Sequence, residues 1–183
     1  MKPVLVSVTA VTHNSSRFIG HCLDALLGQG YRPLEVMVVD NASQDESKSI
    51  LARYSGRIYL IENDSNTGFA AAQNRAIAAS RGQWILTLNP DVLVQPGFVE
   101  RLVEAGNLDA RVGAVCGKLL RIAGDFKIPN DPRIDSTGID FTPGRSLPCP
   151  ERRPRSTIFR TGNPQGVFGE KPVLDACHEH EVR

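Results

Sequence analysis

Leu34-Glu35-Val36-Met37-Val38-Val39 runs straight into Asp40-Asn41, and Trp84-Ile85-Leu86-Thr87-Leu88 runs into Asn89-Pro90-Asp91. Each is a run of strand length that ends in an acidic turn. A third such run, Val4 to Thr9, leads to Val11-Thr12-His13-Asn14. Near-continuous apolar runs belong to strands buried on both faces, as in parallel sheets. Open sheets of that kind bind ligands beyond the carboxyl ends of their strands. Asp40 and Asp91 are therefore the first candidates for a site, and together they point to a nucleotide crevice with a metal-binding edge.

Helical periods fill the gaps between these runs. Phe18, Ile19, Cys22, Leu23, Leu26 and Leu27 fall on one helical face, with Asn14 or Ser15 as the cap and Gly28 and Gly30 as the stop. Ser43 and Glu46 form a capping-box pattern that predicts a helix reaching about Tyr54. Arg57 to Glu62 reads as a strand, and Phe69 to Ser80 as an alanine-rich helix with Gly82 just past its end. Pro96 suits the first turn of a helix ending near Ala105, and Val112 to Leu119 reads as a fifth strand. This alternation predicts an α/β domain, a mostly parallel sheet with helices on both faces.

The character changes after Arg121. Asp-Pro, Thr-Gly and Pro-Gly pairs crowd the stretch from Phe126 to Pro150, and Arg152, Arg153, Arg155 and Arg160 cluster behind it. Residues 1–121 read as the α/β domain and 122–168 as a loop-rich continuation with short antiparallel pieces. Residues 169–183 read as an irregular tail. The arginine cluster reads as a solvated or disordered stretch, with phosphates or an anionic membrane surface as the other use for its charge.

Composition removes several classes. Twenty-one Lys and Arg against 20 Asp and Glu leave a net charge of +1, so no basic field marks a nucleic-acid partner. No apolar run approaches the roughly 20 residues of a membrane span, and Met1-Lys2-Pro3 opens into a strand rather than a signal peptide. Cys22, Cys116, Cys149 and Cys177 are scattered, without a C-x-x-C pair. Cys22 and Cys116 read as small core residues in a reducing compartment, and the expected setting is the cytosol.

Three stretches carry chemistry. A carboxylate at Asp40 can accept from the imide N–H of a uracil or thymine ring, although Asp-Asn-Ala-Ser is also good turn chemistry; its place after the second strand favours the ligand. In Asn89-Pro90-Asp91 the proline fixes a turn that lets both polar side chains face one side. A carboxylate there can hold a divalent ion on a diphosphate. In Asn66-Thr67-Gly68-Phe69-Ala70, Gly68 permits close backbone approach, and the helix start behind it offers N–H groups to an oxygen. Arg75, two turns on, reads as an exposed arginine. Neither a G-x-G-x-x-G fingerprint nor a phosphate loop is present. A sugar nucleotidyltransferase would need a glycine-rich basic loop, and Val8 to Ser15 contains no glycine. His178-Glu179-His180 beside Cys177 does not read as a metal site, since two histidines one residue apart cannot share a helix face.

Taken in order, Val6 to Ser15, Cys22 to Leu27, Val38-Val39-Asp40-Asn41-Ala42-Ser43, Asn66 to Ala70 and Leu88 to Asp91 resemble the family 2 inverting glycosyltransferases of the GT-A fold. The last two motifs are similar to its rhamnosyltransferase-like branch. The resemblance is dense from Val4 to about Lys118 and looser through Ile134 to Gly169. It implies transfer of a sugar, in this branch rhamnose, from a dTDP- or UDP-sugar to a saccharide or lipid-linked saccharide of the cell surface. Such a protein would work in the cytoplasm, at the inner face of the membrane if it touches one. Asp40 would bind the base beside Thr12 and Asn14, and Asn66, Gly68 and Asn89 would contact the donor. Asp91 would hold Mg²⁺ or Mn²⁺. Asn89 stands where the family often has a first aspartate, which leaves fewer carboxylates on the ion. After Phe168-Gly169 the sequence departs from the family pattern, and the general base expected farther on is missing. The alternative implied is a truncated, non-catalytic remnant that still binds nucleotide-sugar.

Overall fold

All seven residues of β1 (Val6–Thr12) are buried, and so is every residue of β2 (Leu34–Asp40) except Leu34. That double-sided burial is what the apolar runs required. The computed structural model describes residues 3–122, 126, 133–136 and 156–160. Its elements run β1, α1 (Ile19–Leu27), β2, α2 (Ser47–Ala52), β3 (Tyr59–Glu62), α3 (Phe69–Ala79), β4 (Trp84–Leu88), α4 (Phe98–Gly106), β5 (Ala114–Cys116), β6 (Leu119–Leu120), β7 (Ile134–Ser136) and β8 (Ser156–Arg160). The main sheet has the order β3-β2-β1-β4-β8-β5, and β6 pairs with β7 in a small second sheet. β1, β2, β3 and β4 are parallel, whereas β8 is antiparallel to both β4 and β5.

Alternation along the strands divides the core in two. Val6, Val8, Val36, Val38, Trp84, Leu86 and Leu88 turn to one face and pack with Leu23, Leu26, Leu51, Val99, Leu102 and Val103 of α1, α2 and α4. Val11, Met37 and Val39 turn to the other, where Ala72 and Ala76 let α3 approach closely. Truncating a fully buried member of the larger cluster such as Leu86 costs about 2–5 kcal/mol. The α3 face also carries polar residues that bond to one another, although Gln73 Oε1 has no partner. The buried Thr9 hydroxyl accepts from Gln73 Nε2, and Ser7 donates to Glu35, which also accepts from Arg81 at 2.8 Å. Those bonds hold the Glu35 carboxyl below its ordinary range against the opposing effect of burial.

Four local expectations need correction. α1 begins at Ile19, several residues past Asn14 and Ser15, and no side chain caps it. The Ser43–Glu46 capping box does not form, because the Ser43 hydroxyl accepts from Asn14 N–H instead. Asp45 Oδ1 takes the N–H of Ser47 at the start of α2. The run from Val112 to Leu119 is divided between the short β5 and the start of β6. Ser156–Arg160, the end of the supposedly solvated basic stretch, is a strand between β4 and β5. Thr157-Ile158-Phe159 is a strand pattern that the flanking arginines obscured. The rest of that cluster, the tail and its histidines lie outside the described residues.

Candidate functional site

The parallel register brings the predicted residues together. Thr12 stands opposite Asp40 at the ends of β1 and β2, and Asp40 opposite Glu62 at the end of β3. β4 ends at Leu88 opposite Ala10, so Asn89-Pro90-Asp91 leaves the sheet next to the end of β1. Asp40, Asp91 and the Asn66–Gly68 loop thus share the carboxyl edge of one sheet, although they are widely separated in the chain.

Thr12 and Asp40 are wholly buried. Asp40 Oδ2 accepts the Ser43 N–H at 3.2 Å and lies 3.9 Å from Lys48 Nζ. Asp40 Oδ1 and Thr12 Oγ1 are buried with no hydrogen-bond partner. Orphaned polar atoms of this kind are uncommon and costly, and these two stand at the ends of neighbouring strands. Both side chains are shut off from solvent, where the loops that follow β1 and β2 begin.

Two of those loops are tied to one another. Asn14 has a left-handed backbone (φ 50°) and accepts Gln44 N–H through Oδ1 at 2.7 Å. Ser15 N–H donates to Ser47 Oγ at 2.9 Å, and Ser16 N–H to Asp45 Oδ2 at 2.9 Å. Burial works against the Asp45 charge, but the bonds from Ser47 and Ser16 prevail and hold its carboxyl far below the ordinary range. Asn14 therefore works in the structure as a clasp between loops.

Asn41, only 2 % exposed, is the functional candidate that sequence reasoning missed. It donates to Asn66 Oδ1 at 2.7 Å and Gly68 O at 3.3 Å, and accepts from Asn63 Nδ2 at 2.8 Å and Thr67 N–H at 3.1 Å. This side chain ties the β3–α3 loop to the end of β2, beside the bond from Asn63 N–H to Asp40 O at 2.9 Å. Gly68, at φ 81°, turns the chain into α3, where a Cβ would be strained. The available signal was an asparagine directly after a buried strand, since a carboxamide in that place must find partners. On the other side, Cys22 Sγ lies 3.7 Å from the Asn89 carbonyl. Burial first, and then the nearby Asp91 charge, push the Cys22 thiol up to about 12.

The donor set suits a hard divalent ion only in part. Among the described residues no three His, Cys, Asp or Glu side chains gather into a metal cage. One carboxylate shared with the oxygens of a bound diphosphate is nonetheless the usual habit of Mg²⁺, and Asp91 stands at the right edge for it.

The family model for glycosyl transferase family 2 matches residues 7–167, most of the chain. The chain belongs to glycosyl transferase family 2. This family 2 chain is 31% identical over 140 residues to the succinoglycan biosynthesis protein ExoO of Rhizobium meliloti (strain 1021), covering 70% of this chain and 40% of that one. It is 29% identical over 128 residues to the N-acetylglucosaminyl-diphospho-decaprenol L-rhamnosyltransferase of Mycobacterium tuberculosis (strain ATCC 25618 / H37Rv), covering 64% and 41%. Among solved structures, the mannosyltransferase PcManGT of Pyrobaculum calidifontis, in complex with GDP-Man and Mn²⁺, superposes with a TM-score of 0.60 at 29% identity. That superposition covers 65% of this chain and 37% of the mannosyltransferase. The chain thus spans about two fifths of the length of these curated relatives. No described helix is long and apolar enough to cross a membrane.

Proposed function

We propose that this family 2 chain binds a nucleotide-diphospho-sugar at the carboxyl edge of β1, β2 and β4 and takes part in transferring the sugar, with inversion, to a cell-surface saccharide or lipid-linked acceptor. The proposed donor is dTDP-rhamnose, a reading that the similarity to the rhamnosyltransferase supports. The observation that carries it is the meeting of Asp40, Asp91 and the Asn66–Gly68 loop at one sheet edge. In this reading Asp40 and Thr12 receive the base through their unpartnered oxygens, and Gly68 and Asn66 line the donor. Asp91, with Asn89 beside it, holds Mg²⁺ or Mn²⁺. A bound ion would neutralise the charge that grows on the departing diphosphate. An inverting transfer also needs a base for the acceptor hydroxyl, and no described residue is assigned that part. The chain would work at the inner face of the membrane.

Calorimetric titration of dTDP, UDP and GDP with Mn²⁺, on the protein and on Asp91→Ala, tests the site. Metal-dependent binding of dTDP or UDP that is lost in the variant is the expected result. A folded protein that binds none of the three overturns the proposal.

A further inference from the structure

Membership of family 2 leaves the base of the nucleotide open, since the mannosyltransferase that shares this fold was solved with GDP-Man. The side chains that meet the base must make that choice. Asp40 offers it less than a whole carboxylate. Its Oδ2 accepts the Ser43 N–H at 3.2 Å and lies 3.9 Å from Lys48 Nζ, whereas Oδ1 has no hydrogen-bond partner. Guanine carries two donors side by side, the N1 imino and the N2 amino group, and a carboxylate grips both only with two free oxygens. Uracil and thymine carry one N–H between two carbonyls, which a single oxygen can meet. Adenine and cytosine carry a ring-nitrogen acceptor in that place, and it would oppose Oδ1.

Lys48 sharpens the choice. It is the second residue of α2, with its side chain half exposed on a flexible stem. Its ammonium has three donors and no acceptor. Beside Asp40 it can donate to a pyrimidine carbonyl next to the imide N–H, but it meets the guanine amino group donor against donor. The Thr12 hydroxyl, opposite Asp40 across the strands and without a partner, can donate to the second carbonyl. Donor, acceptor and donor then answer acceptor, donor and acceptor. We infer that Lys48 is the specificity-determining residue that commits this site to a uracil or thymine nucleotide over a guanine one. This rests on the nucleotide-sugar reading above and assigns its choice of base to a residue of α2.

The test titrates UDP and GDP, each with Mn²⁺, into the parent, Lys48→Met and Lys48→Arg, with thermal melting as a check on folding. The parent should bind UDP about 30-fold or more tighter than GDP. Lys48→Met keeps the length of the side chain and loses the donor. It should melt within about 2 °C of the parent, since an ion pair so exposed adds little stability. It should weaken UDP binding about 10-fold and leave GDP binding unchanged or tighter, so that the preference shrinks to about threefold. Lys48→Arg keeps a donor and should retain the preference. Equal losses for UDP and GDP in Lys48→Met would place the ammonium on the diphosphate and overturn the assignment, as would an unchanged preference for UDP. If the parent binds neither nucleotide, the nucleotide-sugar reading itself fails. If it binds GDP as tightly as UDP, only the assignment of Lys48 does.

Discussion

Thr12 and Asp40 face one another at the ends of two neighbouring parallel strands, both wholly buried and each with one oxygen lacking a hydrogen-bond partner. A side chain arranged this way lowers stability and is retained when a ligand completes it. Thr12→Val exchanges the orphan hydroxyl for a methyl group of similar size. It is expected to leave the stability unchanged or to raise it by up to about 1 kcal/mol, while weakening dTDP or UDP binding several-fold. In Asp40→Asn the remaining oxygen stays with Ser43 N–H, so an N–H replaces Oδ1 and meets the imide N–H of the base. Binding should fall about 10- to 100-fold. Unchanged affinity in both variants would remove these residues from the base site.

Asp45 makes the joined loops sensitive to acid. Its carboxyl is held below its ordinary value of 3.8 by Ser47 and Ser16 even though burial opposes the charge. A depressed carboxylate contributes stability that is full above the unfolded value and disappears as the pH falls toward the folded one. The melting difference between the parent and Asp45→Asn should therefore be constant from pH 7 to about 5 and shrink below about 4. A difference that grows on acidification contradicts the assignment.

Cys22 is buried against Asn89 with its thiol pushed up to about 12, by burial first and Asp91 second. At pH 8 it should resist a thiol reagent that modifies it promptly in denaturant, because only the thiolate reacts. Mass mapping of the labelled cysteine gives the readout. Prompt native labelling of Cys22 would mean that the β4–α4 turn opens.

Two glycines have no room for a side chain. A Cβ at Gly106 would come within 2.6 Å of the Trp84 ring, and one at Gly82 within 2.5 Å of Ser7 N. Gly106→Ala and Gly82→Ala should each cost about 1–3 kcal/mol, with Gly82→Ala toward the upper end because its obstacle is backbone. Denaturant melts measure both. A variant as stable as the parent would show that the Trp84 packing or the β1–β4 entry has slack.

The fold was largely legible in the sequence. β4 begins at Trp84 and ends at Leu88 as its apolar run does, and α3 starts at Phe69 directly after the Gly68 turn. Helix starts were less legible. The side chains expected to cap them, Asn14 and Ser43, bond to one another's loops, which are distant in the chain. Placing β8 between β4 and β5 depends on pairing with residues about 70 positions away, to which a local pattern is blind.

By itself the sequence determined the alternation of strands and helices, since burial on both faces shows in the composition of Val36–Val39 and Leu86–Leu88. It also determined that acids stand at the strand ends. Only the tertiary structure decided what surrounds them. The partnerless oxygens of Thr12 and Asp40, and the amide bonds that join Asn63, Asn41 and Asn66, are properties of pairings across the sheet. Hydrogen bonds are directional and saturable, so each amide's role depends on which donors and acceptors the fold brings beside it.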